Sequence, residues 1–333
     1  MTQEYFQSVE LLMFDRPRVS LAHLPTPIQP LPRLSQVLGG PELWIKRDDQ
    51  TGLAFGGNKT RKLELLVGQA QIEGAEVLLT RGAPQSNHCR QTAAAAAQAG
   101  MACTLVLSGD PPPKASANLL LDHILGAEIR WTGSNNPDDI LQQAYEEKLA
   151  AGQRAFLIPY GGSSPLGASA FADAVDEVLT QGGHFDRVLF ATSSGGTQAG
   201  LIAGARKHGL KTLIDGVSVD RPTSELSLMV AELATEVLAL LDEEGKIDPG
   251  EVLVDDRFLG GGYAVVEKLE LDAIRLFAQQ EGVLLDPVYT SRAAGGMISK
   301  IREGEIKSNE RVLFWHTGGT PALFAFEGAL INE

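Results

Sequence analysis

The chain has 333 residues, 44% hydrophobic and 21% charged, the balance of a soluble globular protein long enough for two domains, each with its own core. Lysine and arginine number 28 against 42 aspartate and glutamate, a formal net charge of −14, and no basic run appears. Nucleic acid is therefore not an expected partner, and an anionic ligand would need locally gathered positive groups.

The two cysteines, Cys89 and Cys103, are too few for a disulfide framework or a thiolate zinc site and read as a reducing compartment. Residues 1–10 are polar, and Leu11-Leu12-Met13-Phe14 is too short for the apolar stretch of a signal peptide. No apolar run reaches about 18 residues, so no membrane span is expected and the cytoplasm is the expected location.

Residues 20–50 read as a lead-in arm. Leu24-Pro25-Thr26-Pro27 imposes an extended course, a short helix follows at 31–34, and 42–47 alternates as a strand closed by Asp48-Asp49. Next comes Gly56-Gly57-Asn58-Lys59-Thr60-Arg61-Lys62, a glycine-opened turn at the head of a helix predicted over 59–73. Lys59 thus stands at a helix N-terminus, where the positive dipole end disfavours an ammonium and favours anions; a desolvated amine there becomes nucleophilic and suits Schiff-base chemistry. The plainer alternative is that Asn58 caps the helix and both lysines are solvated.

From there helix-period and strand-period segments alternate. Strands are predicted at 76–80, 102–107, 128–131 and 155–159, with helices at 91–99, 115–125 and 137–151 between them and a surface loop at Pro111-Pro112-Pro113. Gly161-Gly162-Ser163-Ser164-Pro165 breaks the pattern, and a domain crossing is expected near 160. The alternation resumes with a helix at 171–181, a strand at 187–191, a helix from about 197, strands at 212–219 and 251–254 with a helix over 224–243, and a last strand at 311–315. This β-α order predicts an α/β fold of two doubly wound parallel-sheet domains. The expected division is a larger domain from 1–54 and 161–333 and a smaller one from 55–160.

Four turns carry chemistry. In Thr192-Ser193-Ser194-Gly195-Gly196-Thr197, an apolar strand runs into paired glycines and a helix, so backbone N–H groups, two hydroxyls and a helix dipole can converge on an anion. The spacing is neither a Walker loop nor GxGxxG, which favours a lone phosphate monoester over a nucleotide. Gln85-Ser86-Asn87-His88 opens the alanine-rich helix and can grip a carboxylate, or Ser86 can simply cap that helix. Asp286-Pro287-Val288-Tyr289-Thr290-Ser291 and His316-Thr317-Gly318-Gly319-Thr320 read as further strand-exit turns, and the second resembles the anion cradle, so either Gly-Gly-Thr could hold phosphate.

Taken in order along residues 20–327, these motifs resemble the D-cysteine desulfhydrases and 1-aminocyclopropane-1-carboxylate deaminases, pyridoxal-phosphate enzymes of the tryptophan-synthase-β fold. The resemblance implies a homodimer with pyridoxal 5'-phosphate in the cleft between two domains. It implies that Lys59 carries the cofactor covalently, that Lys62 with Ser194, Gly195, Gly196 and Thr197 holds the phosphate, and that Asn87 meets the ring hydroxyl. Ser86, with Asn87 and His88, would bind a small amino-acid substrate, Tyr289 would stack near the ring, Thr317 would face the pyridine nitrogen, and Tyr263 would approach the substrate. Ser193 departs from the family's usual glycine and would be strained if φ were positive.

The deaminases place glutamate and leucine where this chain has Thr290 and Thr317. A hydroxyl facing the ring nitrogen leaves a weaker electron sink, enough for a good β-leaving group. The implied reaction is β-elimination, D-cysteine to pyruvate, hydrogen sulfide and ammonia. The alternatives are an L-cysteate sulfo-lyase, for which Arg81, His88 and Arg292 would supply cations, a cyclopropane deaminase, and a non-catalytic pyridoxal-phosphate carrier. No metal site is expected.

Overall fold

A computed structural model describes residues 16–331; the 1–10 and 11–14 segments lie outside the described residues. In chain order, β1 (Ile28–Pro30), α1 (Pro32–Val37) and β2 (Glu42–Arg47) are followed by α2 (Lys59–Ile72), β3 (Val77–Gly82), α3 (Asn87–Gln98), β4 (Ala102–Leu107), α4 (Ala117–Ile124), β5 (Glu128–Trp131), α5 (Pro137–Ala150) and β6 (Ala155–Leu157). Then come α6 (Pro165–Thr180), β7 (Arg187–Thr192), α7 (Gly196–Lys207), β8 (Leu213–Ser218), α8 (Thr223–Leu240), β9 (Leu253–Asp255), α9 (Lys268–Glu281), α10 (Thr290–Arg302), β10 (Arg311–His316) and α11 (Glu327–Ile331). The α/β architecture anticipated from the alternation is present.

The chain divides into two compact units, cut between Asn58 and Lys59 and between Gly162 and Ser163. The smaller carries a four-stranded sheet in the order β5-β4-β3-β6, all parallel. Residues 16–22 group with this unit and not with the larger one, where the sequence places them. The reason is Glu64 of α2, whose buried carboxylate accepts the N–H groups of Leu21 and Ala22 and pairs with Arg18 at 2.9 Å. The larger unit holds a six-stranded sheet in the order β1-β2-β10-β7-β8-β9, parallel except for β1 against β2.

The interior strands read as near-continuous apolar runs because both faces are covered. Leu189, Phe314 and Ile45 pack with Phe277, Met297 and Ile298 of α9 and α10, while Phe190, Leu313 and Trp315 pack with Phe171 of α6 and Leu201 of α7. In the smaller unit Val77, Leu79 and Val106 meet Ala144 of α5.

Parallel pairing decides where the turns go. Since β2, β10 and β7 are neighbours running the same way, the turns that follow each of them come out on one edge of the larger sheet. By the same logic the turn after β3 and the chain after β6 share one edge of the smaller sheet.

Three helices, α9, α10 and the short α11, were not anticipated. Over 283–288 no strand forms, so Asp286 to Ser291 is a helix-opening turn and α10 continues from Thr290; it is not a strand exit. The α9 helix carries start and stop signals that could have found it, a capping box between Glu267 and Glu270 and Gly282 in the left-handed region after its end.

Candidate active site

In the larger unit, the turn after β2 is built to present the residue that follows it. Gly57 N–H is held by the Asp48 carbonyl and by Thr51 Oγ1, at 2.9 and 2.8 Å, and Thr51 Oγ1 in turn faces the Gly57 carbonyl. Asn58 N–H donates to the Thr317 carbonyl at 2.9 Å, and Asn58 Nδ2 donates to Thr197 Oγ1 at 3.0 Å. The residue next to Lys59 in the chain is therefore tied to both Gly-Gly-Thr turns. Gly318, at φ 91°, makes this possible: a Cβ there would stand 2.6 Å from Gly57 Cα.

The turn after β7 is glycine-opened and leads straight into a helix. Gly195 takes φ 75° ahead of α7, whose N-terminus has no side-chain cap, and Gly196 N–H is met by Ser163 Oγ at 3.2 Å. Ser194 Oγ pairs with Ser163 Oγ at 2.8 Å. Thr197 Oγ1 is the acceptor for Asn58, so its own proton remains to be given, and no described residue takes it. Ser193 is not among the residues with positive φ; it donates to Asp220 at 2.7 Å, so the strain feared for serine there does not arise.

The turn after β10 is held by His316. Its Nε2 donates to the Leu284 carbonyl at 3.0 Å, which leaves Nδ1 to accept the Gly318 N–H at 3.1 Å. Thr317 is buried, and no described residue engages its hydroxyl. The aromatic group comes from α10 and the 256–267 loop: Tyr263 and Tyr289 join hydroxyls at 2.5 Å with their rings edge to face, 5.9 Å apart. Buried Asp286 sets Tyr289 in place by accepting the N–H groups of Val288, Tyr289 and Thr290 and the Thr290 hydroxyl. Thr290 is thus consumed within its own turn. Arg292 is also committed, to Glu270 at 2.7 Å and to the carbonyls of Val219, Gly262 and Val265.

In the smaller unit, the amines of Lys59 and Lys62 both reach the Gly161 carbonyl, each at 3.2 Å. Lys62 is fully buried, and burial together with the nearby Lys59 charge holds its pKa well below the ordinary range. A buried amine with a second, half-buried amine beside it is a natural seat for an anion. Ser86 caps α3, accepting the Cys89 N–H at 3.2 Å, so the capping reading is correct and leaves its hydroxyl proton to donate. Asn87 Oδ1 accepts from Arg90 and Asn118.

Thr80 gives its proton to the Ile158 carbonyl, so His88 Nε2 must donate to Thr80 Oγ1, at 2.9 Å. Burial first, then Lys59 and Lys62, push the His88 pKa well down, with only the Pro159 carbonyl opposing, and its Nδ1 is buried without a hydrogen-bond partner. Arg81 lies 4.6 Å over the Tyr160 ring and pairs with Asp138 at 2.5 Å. Of the cations considered for a sulfonate, Arg292 is locked in a buried pair and His88 is kept neutral.

Some contributors were not legible as motif members. Gln91 Oε1 accepts both the N–H and the hydroxyl of Thr60, fixing the first turn of α2 against α3. Gly161, Ser163, Arg90 and Asn118 likewise act through partners distant in sequence, whereas Thr51 and Asp286 act within their own turns. Among the described residues no cluster of histidine, cysteine and carboxylate groups could hold a metal, and no helix is long and apolar enough to cross a membrane.

In the smaller unit, the buried Lys62 amine beside the half-buried Lys59 suits an anion and an aldehyde, and in the larger unit a glycine-opened helix N-terminus with a spare hydroxyl suits a phosphate. The family model described as pyridoxal-phosphate dependent enzyme matches residues 19–318, and the chain belongs to that family. It is 40% identical over 329 residues to a 1-aminocyclopropane-1-carboxylate deaminase of Burkholderia multivorans, covering 93% of this chain and 96% of the relative. It is 39% identical over 319 residues to a D-cysteine desulfhydrase of Klebsiella pneumoniae, with the same coverage. A solved structure described as an ACC deaminase homologue superposes with a TM-score of 0.89 at 36% identity, covering 95% of this chain and 96% of the other. The protein is thus a pyridoxal-phosphate dependent enzyme of the group that includes both activities.

Proposed function

We propose that this enzyme is a carbon–sulfur lyase acting on a small β-substituted amino acid, with D-cysteine first: with one water consumed, it yields pyruvate, hydrogen sulfide and ammonia. The observation that carries the reading is the double tether of Asn58, to Thr197 Oγ1 and to the Thr317 carbonyl, which ties the lysine turn to the cradle and to the turn bearing the Thr317 hydroxyl. Pyridoxal phosphate, when bound, supplies the electron sink that acidifies the amino acid's Cα–H.

The chain's own groups do the rest. Lys59 would hold the cofactor covalently and, once the substrate amine has displaced it, its freed amine would serve as base; Lys62, Ser194, Gly195, Gly196 and Thr197 would hold the phosphate. Asn87 donates to the ring hydroxyl. Ser86 and Asn87 would take the substrate carboxylate, with His88, neutral and held by Thr80, backing that turn and not donating to the carboxylate; Tyr289 would lie near the ring, and its partner Tyr263 would face the substrate. Relatives of both activities are equally similar, so the choice of substrate rests on Thr317. A neutral hydroxyl at the ring nitrogen supports loss of thiolate better than opening of a cyclopropane. L-Cysteate ranks second, weakened by the commitment of Arg292 to Glu270 and the neutral state of His88. Location in the cytoplasm and assembly as a homodimer belong to the same reading, the latter testable by light scattering.

Borohydride reduction of the holoenzyme followed by peptide mapping should place the cofactor on Lys59; label on another lysine removes the central assignment. A pyruvate or 2-oxobutyrate assay on D-cysteine, L-cysteine, L-cysteate, D-serine and 1-aminocyclopropane-1-carboxylate, compared by kcat/KM, should rank D-cysteine first. Preference for the cyclopropane overturns the use of Thr317, preference for cysteate replaces only the substrate, and a coloured protein that turns over none of them is a carrier.

A further inference from the structure

Arg90 is among the largest side chains wholly removed from solvent, and the chemistry assigned to the site gives it no task. Its Nη1 donates to Asn118 Oδ1 at 2.7 Å and to Asn87 Oδ1 at 3.2 Å. Asn118, also fully buried, gives its Nδ2 to the same Asn87 oxygen at 3.1 Å and to the Gln85 carbonyl at 2.9 Å, and its N–H to Gln85 Oε1 at 3.0 Å. Gln85 Nε2 closes the loop on the Ser116 carbonyl at 3.1 Å. The start of α4 therefore clamps the Gln85-Ser86-Asn87 turn from behind.

Two donors converging on one amide oxygen settle which way Asn87 points. A flipped amide would set its NH2 against a guanidinium and another NH2, so the oxygen faces inward and the NH2 faces away from the network. No described residue accepts from that NH2. A cation hydrogen-bonded to the oxygen of an amide in a dry place also draws density from its nitrogen and strengthens the N–H as a donor.

We propose that Arg90 and Asn118 are positioning residues that lock the Asn87 amide with its NH2 outward and polarise it toward the oxyanion of the cofactor's ring hydroxyl. The inference rests on the reading above that Asn87 meets that group. An N–H donor held on the ring oxygen favours its anionic form, and so lowers the pH at which the proton shared by that oxygen is lost. Removing the donor, or the charge behind it, moves that pH up.

The titratable and charged groups around the network are Asp122 on α4, charge-coupled to Arg90; Cys89 and His88 on α3; Cys103 on β4; Arg81 on β3; and Lys59 and Lys62 on α2. Asp122, pushed up to about 7 by burial, titrates in the range of interest. The comparison is therefore repeated in an Asp122→Asn background.

The test is a pH titration of the visible absorbance of holoenzyme carrying Arg90→Met, Arg90→Lys, Asn118→Ala or Asn87→Ala, with the cofactor dissociation constant measured for each. Arg90→Met and Asn118→Ala should raise the midpoint and weaken cofactor binding roughly tenfold, the scale of a charge-assisted hydrogen bond. Arg90→Lys, which keeps the charge, should restore part of the midpoint. If Asn87→Ala shifts the midpoint and Arg90→Met and Asn118→Ala leave it unchanged while still folded, the positioning role is refuted. If Asn87→Ala itself leaves the midpoint unchanged, the reading of Asn87 fails, and the proposal with it. Should Arg90→Met not fold, Asn118→Ala and Arg90→Lys decide by the same criteria.

Discussion

Thr197 and Thr320 occupy the same place in two similar turns, yet their surroundings differ. Thr197 sits buried at the uncapped start of a twelve-residue helix with its proton unassigned, whereas Thr320 opens only a short 3-10 segment and is less buried. Thr197→Val keeps the shape and removes the donor, and should weaken cofactor retention by about 1–3 kcal/mol, the cost of a hydrogen bond to a charged group. Thr320→Val should cost much less. Dialysis against increasing volumes, followed by absorbance of the retained cofactor, ranks the two; the reverse order would move the phosphate to the other turn. Lys59→Ala should abolish both the bound colour and turnover while far-ultraviolet circular dichroism stays unchanged, because its side chain is only half-buried at the head of α2 and carries little of the core.

At the scale of elements, α10 is joined to the loop bearing Tyr263 through Arg292. That side chain is 1% exposed and pairs with Glu270, 2% exposed, while donating to Gly262 and Val265 on either side of Tyr263. Arg292→Met leaves Glu270 buried without its cation, and should destabilise the fold by about 3–5 kcal/mol, more than the median for a point change. Urea denaturation measures it. Adding Glu270→Leu should recover much of the loss, since a desolvated pair can be replaced by apolar packing; no recovery would mean that the carbonyl contacts, and not the stranded carboxylate, dominate.

For the whole molecule the informative group is Asp122. Both its carboxylate oxygens are buried and without a hydrogen-bond partner, and burial, only partly offset by Arg90, raises its pKa from 3.8 to about 7. The folded state then binds more protons than the unfolded state across that window. Stability is fullest below about pH 4 on this account and is lost as pH rises through about 7, at up to about 1.4 kcal/mol per unit. Asp122→Asn should gain stability relative to the parent between pH 5 and pH 8, read from urea midpoints at each pH. An equal difference at both would show that the carboxyl is already ionised in the fold.

What the sequence determined by itself was local. Apolar runs marked the interior strands because those strands are covered on both faces, and glycine pairs at their ends marked the turns. Lys59, Ser86, Asn87, Ser194 and Thr197 stood in those turns as candidates to meet an anion or offer an amine, and the order of the motifs carried the family. Tertiary structure decided which turns meet. The larger sheet is not ordered as the chain is, so β10 lies between β2 and β7, and only that order brings Thr317, Thr197 and Asn58 within hydrogen-bonding distance. The partners that aim the site, Arg90, Asn118, Gln91 and Asp286, are polar residues at unremarkable positions in helices or at their heads. Asn118 and Gln91 each bond a residue 31 positions away, which sequence spacing does not pair; Asp286 acts within its own turn, and an isolated arginine in an alanine-rich helix carries no sign that it will be fully buried.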